Sequence, residues 1–127
     1  MFKIEFIEEG ISIRKIILKN LKTCTEEICF DHTMLLSFRN FRFMEIGETY
    51  CCKLFLSGKV TADGETYRFN RYVSIGTQHF CEIVNFKGDI YYIEDFHMKN
   101  HCKFIRFHVE RKDLIQVGEI IHPILSE

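Results

Sequence analysis

Between Gly47 and Asp95 apolar and polar residues alternate with a period of two, interrupted by glycine-marked turns. Tyr50, Cys52, Leu54 and Leu56 alternate with Cys51, Lys53 and Ser57, with Phe55 as an apolar residue on the second face. Thr61-Ala62-Asp63-Gly64 reads as a turn, after which Tyr67, Phe69, Val73 and Ile75 alternate with Arg68, Asn70, Tyr72 and Ser74. Successive side chains of a strand point to opposite faces, so the pattern predicts an antiparallel central meander over residues 47–95 with one buried face. Its third member, Phe80 to Phe86, is apolar on both faces, which predicts a strand covered from both sides.

The flanks extend this pattern. Phe2, Ile4 and Phe6 alternate with Lys3 and Glu5. Glu8-Glu9-Gly10 offers a turn and Ile11 to Lys19 resumes, predicting an N-terminal hairpin over residues 1–20. Thr23 to Phe38 carries two readings. Thr23 and Glu26 match a capping box, with Ile28, His32, Leu35 and Leu36 on one helical face; Ile28-Cys29-Phe30 and Met34-Leu35-Leu36 also read as short strands, and we take the strand reading. Asp95 to Asn100 reads as a loop or short helix. Phe104 to Val109 reads as strand, Glu110 to Asp113 as a charged turn, and Leu114 to Leu125 closes the chain, so residues 104–125 supply the closing strands. The expected fold is one domain, all-β or β-rich α+β, an antiparallel sandwich or partly open barrel with at most one or two short helices. Tyr50 to Val109 could also be arranged as a five-stranded barrel of the kind that binds oligonucleotides.

Composition supports a packed β domain. Of 127 residues 46% are hydrophobic and 14% aromatic, with thirteen Phe, no Trp and one Pro. This is too apolar for a disordered chain and rich in residues that favour sheet. The formal net charge of -1 lacks the positive excess of a dedicated duplex-binding protein. The first residues lack a signal-peptide pattern, and no stretch approaches the roughly 18 apolar residues of a membrane span. The chain is therefore expected to be cytoplasmic, away from membranes, with its six cysteines as reduced thiols.

Three sets of residues could carry chemistry. Phe38-Arg39-Asn40-Phe41-Arg42-Phe43 and Tyr67-Arg68-Phe69-Asn70-Arg71-Tyr72 each interleave arginine with aromatics. Single-stranded nucleic acid is held by bases stacked on aromatic rings while cations track phosphates. Strand alternation alone also produces that pattern, with aromatics inward and arginines solvated. Lys99, Lys103, Arg106, Arg111 and Lys112 add a positive region suited to an acidic partner. The candidate binding residues are Arg39, Phe41, Arg42, Arg68, Arg71, Tyr72, Lys99, Lys103 and Arg106.

His97 and His101, four apart, and Cys102 are the candidate metal ligands, with His79, Cys81 and His108 nearby in sequence. No C-x-x-C and no H-E-x-x-H accompany them, and no bound metal is expected. A Cys–His nucleophile from Cys81 or Cys102 has no supporting context, and the glycines form no phosphate loop. The expectation is a non-enzymatic protein without cofactor that binds another protein, of the kind that inhibits or neutralises a partner enzyme or toxin. A rigid sheet rich in Phe and Tyr suits such an interface. The alternative is an oligonucleotide-barrel type of single-stranded nucleic-acid binder.

Overall fold

A computed structural model describes residues 1–33, 40–98 and 102–126. Among the described residues nine strands follow one another: β1 (Phe2–Glu9), β2 (Arg14–Asn20), β3 (Glu26–Asp31), β4 (Thr49–Tyr50), β5 (Cys52–Ile75), β6 (Gln78–Val84), β7 (Ile90–Glu94), β8 (Phe104–Val117) and β9 (Ile120–Ile121). Two single 3-10 turns, Asp95–His97 and Pro123–Ser126, are the helical elements among the described residues. All the strands join one sheet in the order β4-β1-β2-β3-β8-β5-β6-β7, with β9 beside β8. The pairing is antiparallel except at two bridges, Phe30 with Asp113 and Phe55 with Tyr92, so the sheet is mixed. It does not close. The β-rich class is as the alternation predicts, and the loop or short helix expected over Asp95 to Asn100 begins as the 3-10 turn Asp95–His97.

Two predicted turns are instead strand. Thr61–Gly64 does not reverse the chain: Val60 and Glu65 both pair with Phe107, and the four residues between them bulge out of β5. The two expected strands of the meander are therefore halves of one strand, held in line because both pair with β8. Glycine permits this. A Cβ at Gly64 would lie 2.5 Å from the Phe107 backbone, and one at Gly58 would lie 1.9 Å from the His108 carbonyl oxygen. Likewise Glu110 to Asp113 lies within β8. Lys112 meets Glu27, and Asp113 meets Arg111 and His32, so these charges find partners without leaving the sheet.

Nor does Tyr50 to Val109 form a barrel of its own. β4 pairs with β1 and β8 pairs with β3, both outside that run. The N-terminal hairpin is present as β1 and β2, and Ile28-Cys29-Phe30 lies in β3. The second strand expected at Met34–Leu36 falls outside the described residues.

Apolar packing occupies both faces of the sheet. The larger core gathers Ile4, Ile16, Leu18, Leu54, Leu56, Ile83, Phe107 and Leu114. The smaller holds Ile75, Phe80, Tyr92, Ile115 and Leu125. β6 contributes Cys81 and Ile83 to the first and Phe80 to the second, which accounts for its apolar residues on both sides. Leu125, in the turn after β9, covers part of the smaller core, and the face beyond it, over β1 to β3, is left outward.

Candidate functional site

One bulge brings Phe6 onto that outward face. Phe2 and Ile4 on β1 point into the larger core, but the register slips between Ile4 and Phe6. A β-bulge re-aims the residues after it. Ile7 then takes the inward position against the core, and Phe6 is turned outward, 50% exposed. Phe6 is paired with Ile17 on β2, and Ile17 with Ile28 on β3. Directly paired residues share a face of a sheet, so the three form an apolar row across three strands. Ile28 is 48% exposed and Ile17 is half-buried.

Charged rows flank it in register. Lys3, Lys19 and Glu26 lie on one side; Glu8, Lys15 and Phe30 lie on the other. An apolar centre with a polar rim is the arrangement of a protein interface. The second row continues beyond β3, because Phe30 is bridged to Asp113 and Asp113 is paired with Phe55.

Beyond Phe30 the same face dips into a groove of about 490 Å³ between β8 and the segment from His122 to Leu125. Its floor includes Phe55, Phe80 and Ile115 from around the smaller core. At one side Asp113 binds both the His32 ring (Nε2 to Oδ1, 3.0 Å) and Arg111 (Nε to Oδ2, 3.1 Å). His122 is 9% exposed; burial lowers its proton affinity below the ordinary imidazole value, outweighing the nearby carboxylates of Asp31 and Asp113.

Four sequestered carboxylates fix the frame around these surfaces. Asp31 receives the guanidinium of Arg14 at 2.9 Å, with the backbone N–H and hydroxyl of Thr33 on its other oxygen. Arg14 also donates to the Phe41 carbonyl. Glu27 takes the Tyr91 hydroxyl and the Lys112 ammonium. Asp89 ties the β2–β3 turn to the β6–β7 turn through Thr23, Thr25 and Asn85. Glu82 accepts from Asn70, Arg71 and Tyr92. Burial pushes the Glu82 carboxyl up, yet the bonds from Arg71, Tyr92 and Asn70 together carry it below its ordinary value. Asp89 behaves alike, with Thr23, Thr25 and Asn85 overcoming its burial.

The residues singled out in the sequence scatter. Phe41 is fully buried, its ring edge-on to His122, so it offers no stacking surface. Arg42 is exposed in the loop before β4, while Arg39 and Lys99 lie outside the described residues. Arg68, in register with Val84 and Phe104, borders an open depression of about 630 Å³ with Lys87, Phe86 and Phe104. Phe86 is 85% and Phe104 61% exposed. Lys103 is exposed and precedes Phe104 in the chain, and Arg106 donates to the Ala62 carbonyl at 2.9 Å. Arg71 is held by Glu82, and the Tyr72 ring packs on Phe69 with centroids 4.8 Å apart.

The histidines and cysteines are equally dispersed. His97 packs edge-on to Phe107, His79 meets Ser74, Cys81 is buried and Cys102 is exposed; His101 is outside the described residues. Among the described residues no group of three or more potential ligands could hold a metal ion, and no helix is long and apolar enough to cross a membrane.

Phe6, Ile17 and Ile28 were not distinguishable by alternation, which assigns Phe6 to the core with Ile4. One signal did exist: Phe6-Ile7 places two large apolar residues in succession, and neighbours on a strand face opposite sides, so only one of the two can join the core. No protein-family model, curated protein or solved structure matches this chain.

Proposed function

We propose that this chain is a non-enzymatic protein-binding module that engages its partner through the outward face of β1, β2 and β3. The observation that supports this reading is the in-register row Phe6–Ile17–Ile28, apolar, partly exposed and rimmed by charges. Leaving half of two large apolar side chains in water has no folding benefit, whereas covering the exposed half would contribute about 1 kcal/mol at each. The rim of Lys3, Lys19, Glu26, Glu8 and Lys15 carries both signs, which suits a partner surface of mixed charge and sets register more than affinity. A partner enzyme or toxin blocked by such a face would fit the size and rigidity of the domain.

The test is a capture experiment comparing the wild-type chain with Phe6→Glu and Ile28→Glu. A protein retained stoichiometrically by the wild type and lost with both variants supports the reading. Identical retention by all three chains refutes it.

A second reading has its own support. The depression at Arg68, with Lys87 and the exposed rings of Phe86 and Phe104, combines cations with stacking surfaces as single-stranded nucleic acid requires. It predicts oligonucleotide binding that weakens steeply with salt and weakens further on Arg68→Ala or Phe104→Ala.

A further inference from the structure

The groove beside β8 presents more hydrogen-bond donors than its own residues use. The Ile124 backbone N–H donates to His122 Nδ1 at 3.2 Å, so the neutral ring carries its proton on Nε2. That Nε2–H has no partner among the described residues, and it is not among the side-chain atoms sealed from solvent without a bond. His122 is nine-tenths buried and lines the groove, so the open side of this donor is the groove itself. Arg111 adds to it. Its Nε is committed to Asp113, and its terminal nitrogens make no bond to described residues, leaving the edge that grips a carboxylate with two parallel bonds.

Negative groups also border the groove, and their placement matters. Asp113 is ion-paired with the Nε side of Arg111 and hydrogen-bonded to the His32 ring, so its oxygens are occupied within the protein. Glu94 lies on β7 in register with Phe80, across β5 from Asp113. Between the two ends the lining is apolar, with Phe80, Ile115 and Leu125. A volume of about 490 Å³ is within the range of small-molecule sites.

We propose that this groove is a binding site for a small apolar monocarboxylic acid, its carboxylate held by Arg111 and His122 and its hydrocarbon body laid over Ile115, Phe80 and Leu125. This stands independently of whether the Phe6 row captures a protein. The acceptor head is selected by the two donors and the body by the smaller core. A primary amine of equal length would meet donors where the carboxylate head sits and is expected to bind more weakly, with Glu94 at the far end as its remaining acceptor.

The test is a protein-observed NMR titration with octanoate, octylammonium and octanamide. Saturable shifts with octanoate at Ile115, His122 and Leu125, weakened about tenfold or more by Arg111→Gln, support the site, since a charge-assisted bond is removed. Arg111 is half exposed, so the variant keeps the fold where a His122 substitution could lose it. Octylammonium binding as tightly as octanoate, equal octanoate affinity in Arg111→Gln, or no saturable shift at millimolar octanoate would each overturn it.

Discussion

Ile4 and Phe6 are two residues apart on one strand, yet they face opposite sides of the sheet. Ile4 is fully buried against Leu18, whereas Phe6 stands half exposed beside Ile17. The slip in register between them separates a core position from a surface one, and it leads directly to a stability contrast. Ile4→Ala is expected to cost about 2–5 kcal/mol through lost burial and a residual cavity. Phe6→Ser is expected to cost about 1 kcal/mol, because half of the ring is covered beside Ile17. Urea denaturation of both variants checks this, and comparable losses at the two positions would place Phe6 in the core.

The buried pair of Arg14 and Asp31 supports a second expectation. Their side chains are 5% and 0% exposed, and the guanidinium also reaches the Phe41 carbonyl. Removing the cation alone, as in Arg14→Met, leaves an uncompensated carboxylate and is expected to cost about 3–5 kcal/mol. The double variant Arg14→Met with Asp31→Asn removes both charges while keeping an acceptor for Thr33, so it should recover much of that loss. A double variant weaker than the single one would argue that the geometry of the pair, and not its charge balance, holds this corner.

Stability should fall on acidification in two stages. Burial lowers the His97 and His122 imidazoles below their ordinary value of 6.5. The unfolded chain then takes protons first, so the stability from these rings is complete above about 6.5 and is lost as pH falls through the lower folded values. Glu82 and Asp89 are buried, yet their hydrogen bonds carry them below the ordinary 4.5 and 3.8. Their contribution is complete above those values and disappears as pH falls through the depressed ones. Denaturation midpoints measured from pH 8 to 3 should decline first below about 6.5 and again below about 4.5. A midpoint constant down to pH 4 would contradict the histidine stage, and substitution of both histidines by Gln should flatten it.

Thiol chemistry divides the six cysteines equally. Cys24, Cys51 and Cys102 are exposed. Burial pushes the thiol of Cys29 well up, that of Cys52 to about 12 and that of Cys81 to about 11, so none forms a thiolate at neutral pH. A thiol-reactive dye should label Cys24, Cys51 and Cys102 rapidly in the native protein, the half-buried Cys52 slowly, and Cys29 and Cys81 only after unfolding. Peptide mapping assigns the positions, and rapid native labelling of Cys29 or Cys81 would be inconsistent with this packing.

How far the sequence was legible depended on whether a local pattern had one physical cause. Alternation at the start of β8 reports burial, with Ile105 and Phe107 inward. The apolar runs Ile11 to Lys19 and Phe80 to Phe86 overlap β2 and β6 but extend past them, by Ile11 to Ile13 and by Asn85 and Phe86. The residues Thr61–Gly64 look like a turn because they are small and polar, but the same qualities suit a bulge. Only pairing of both flanks with Phe107 distinguishes the two outcomes. Glu110 to Asp113 is charged enough for a turn, and the partners that keep it in the sheet, Glu27 and His32, are remote in sequence. Arg71 and Arg68 look equivalent in the sequence. One is neutralised by Glu82 across the strand pair and the other opens onto a depression. The Phe6 row was hidden for the same reason, since its three members are contributed by three strands.

The most direct measurement is site-specific photocrosslinking in the native cell, with a photoreactive phenylalanine analogue placed in turn at Phe6, Ile28 and, as a control away from the row, Asp63. The expected result is one discrete protein adduct shared by positions 6 and 28 and absent at position 63. No protein adduct at either row position, or the same adduct at all three, would contradict the proposal that this face is the partner's docking surface.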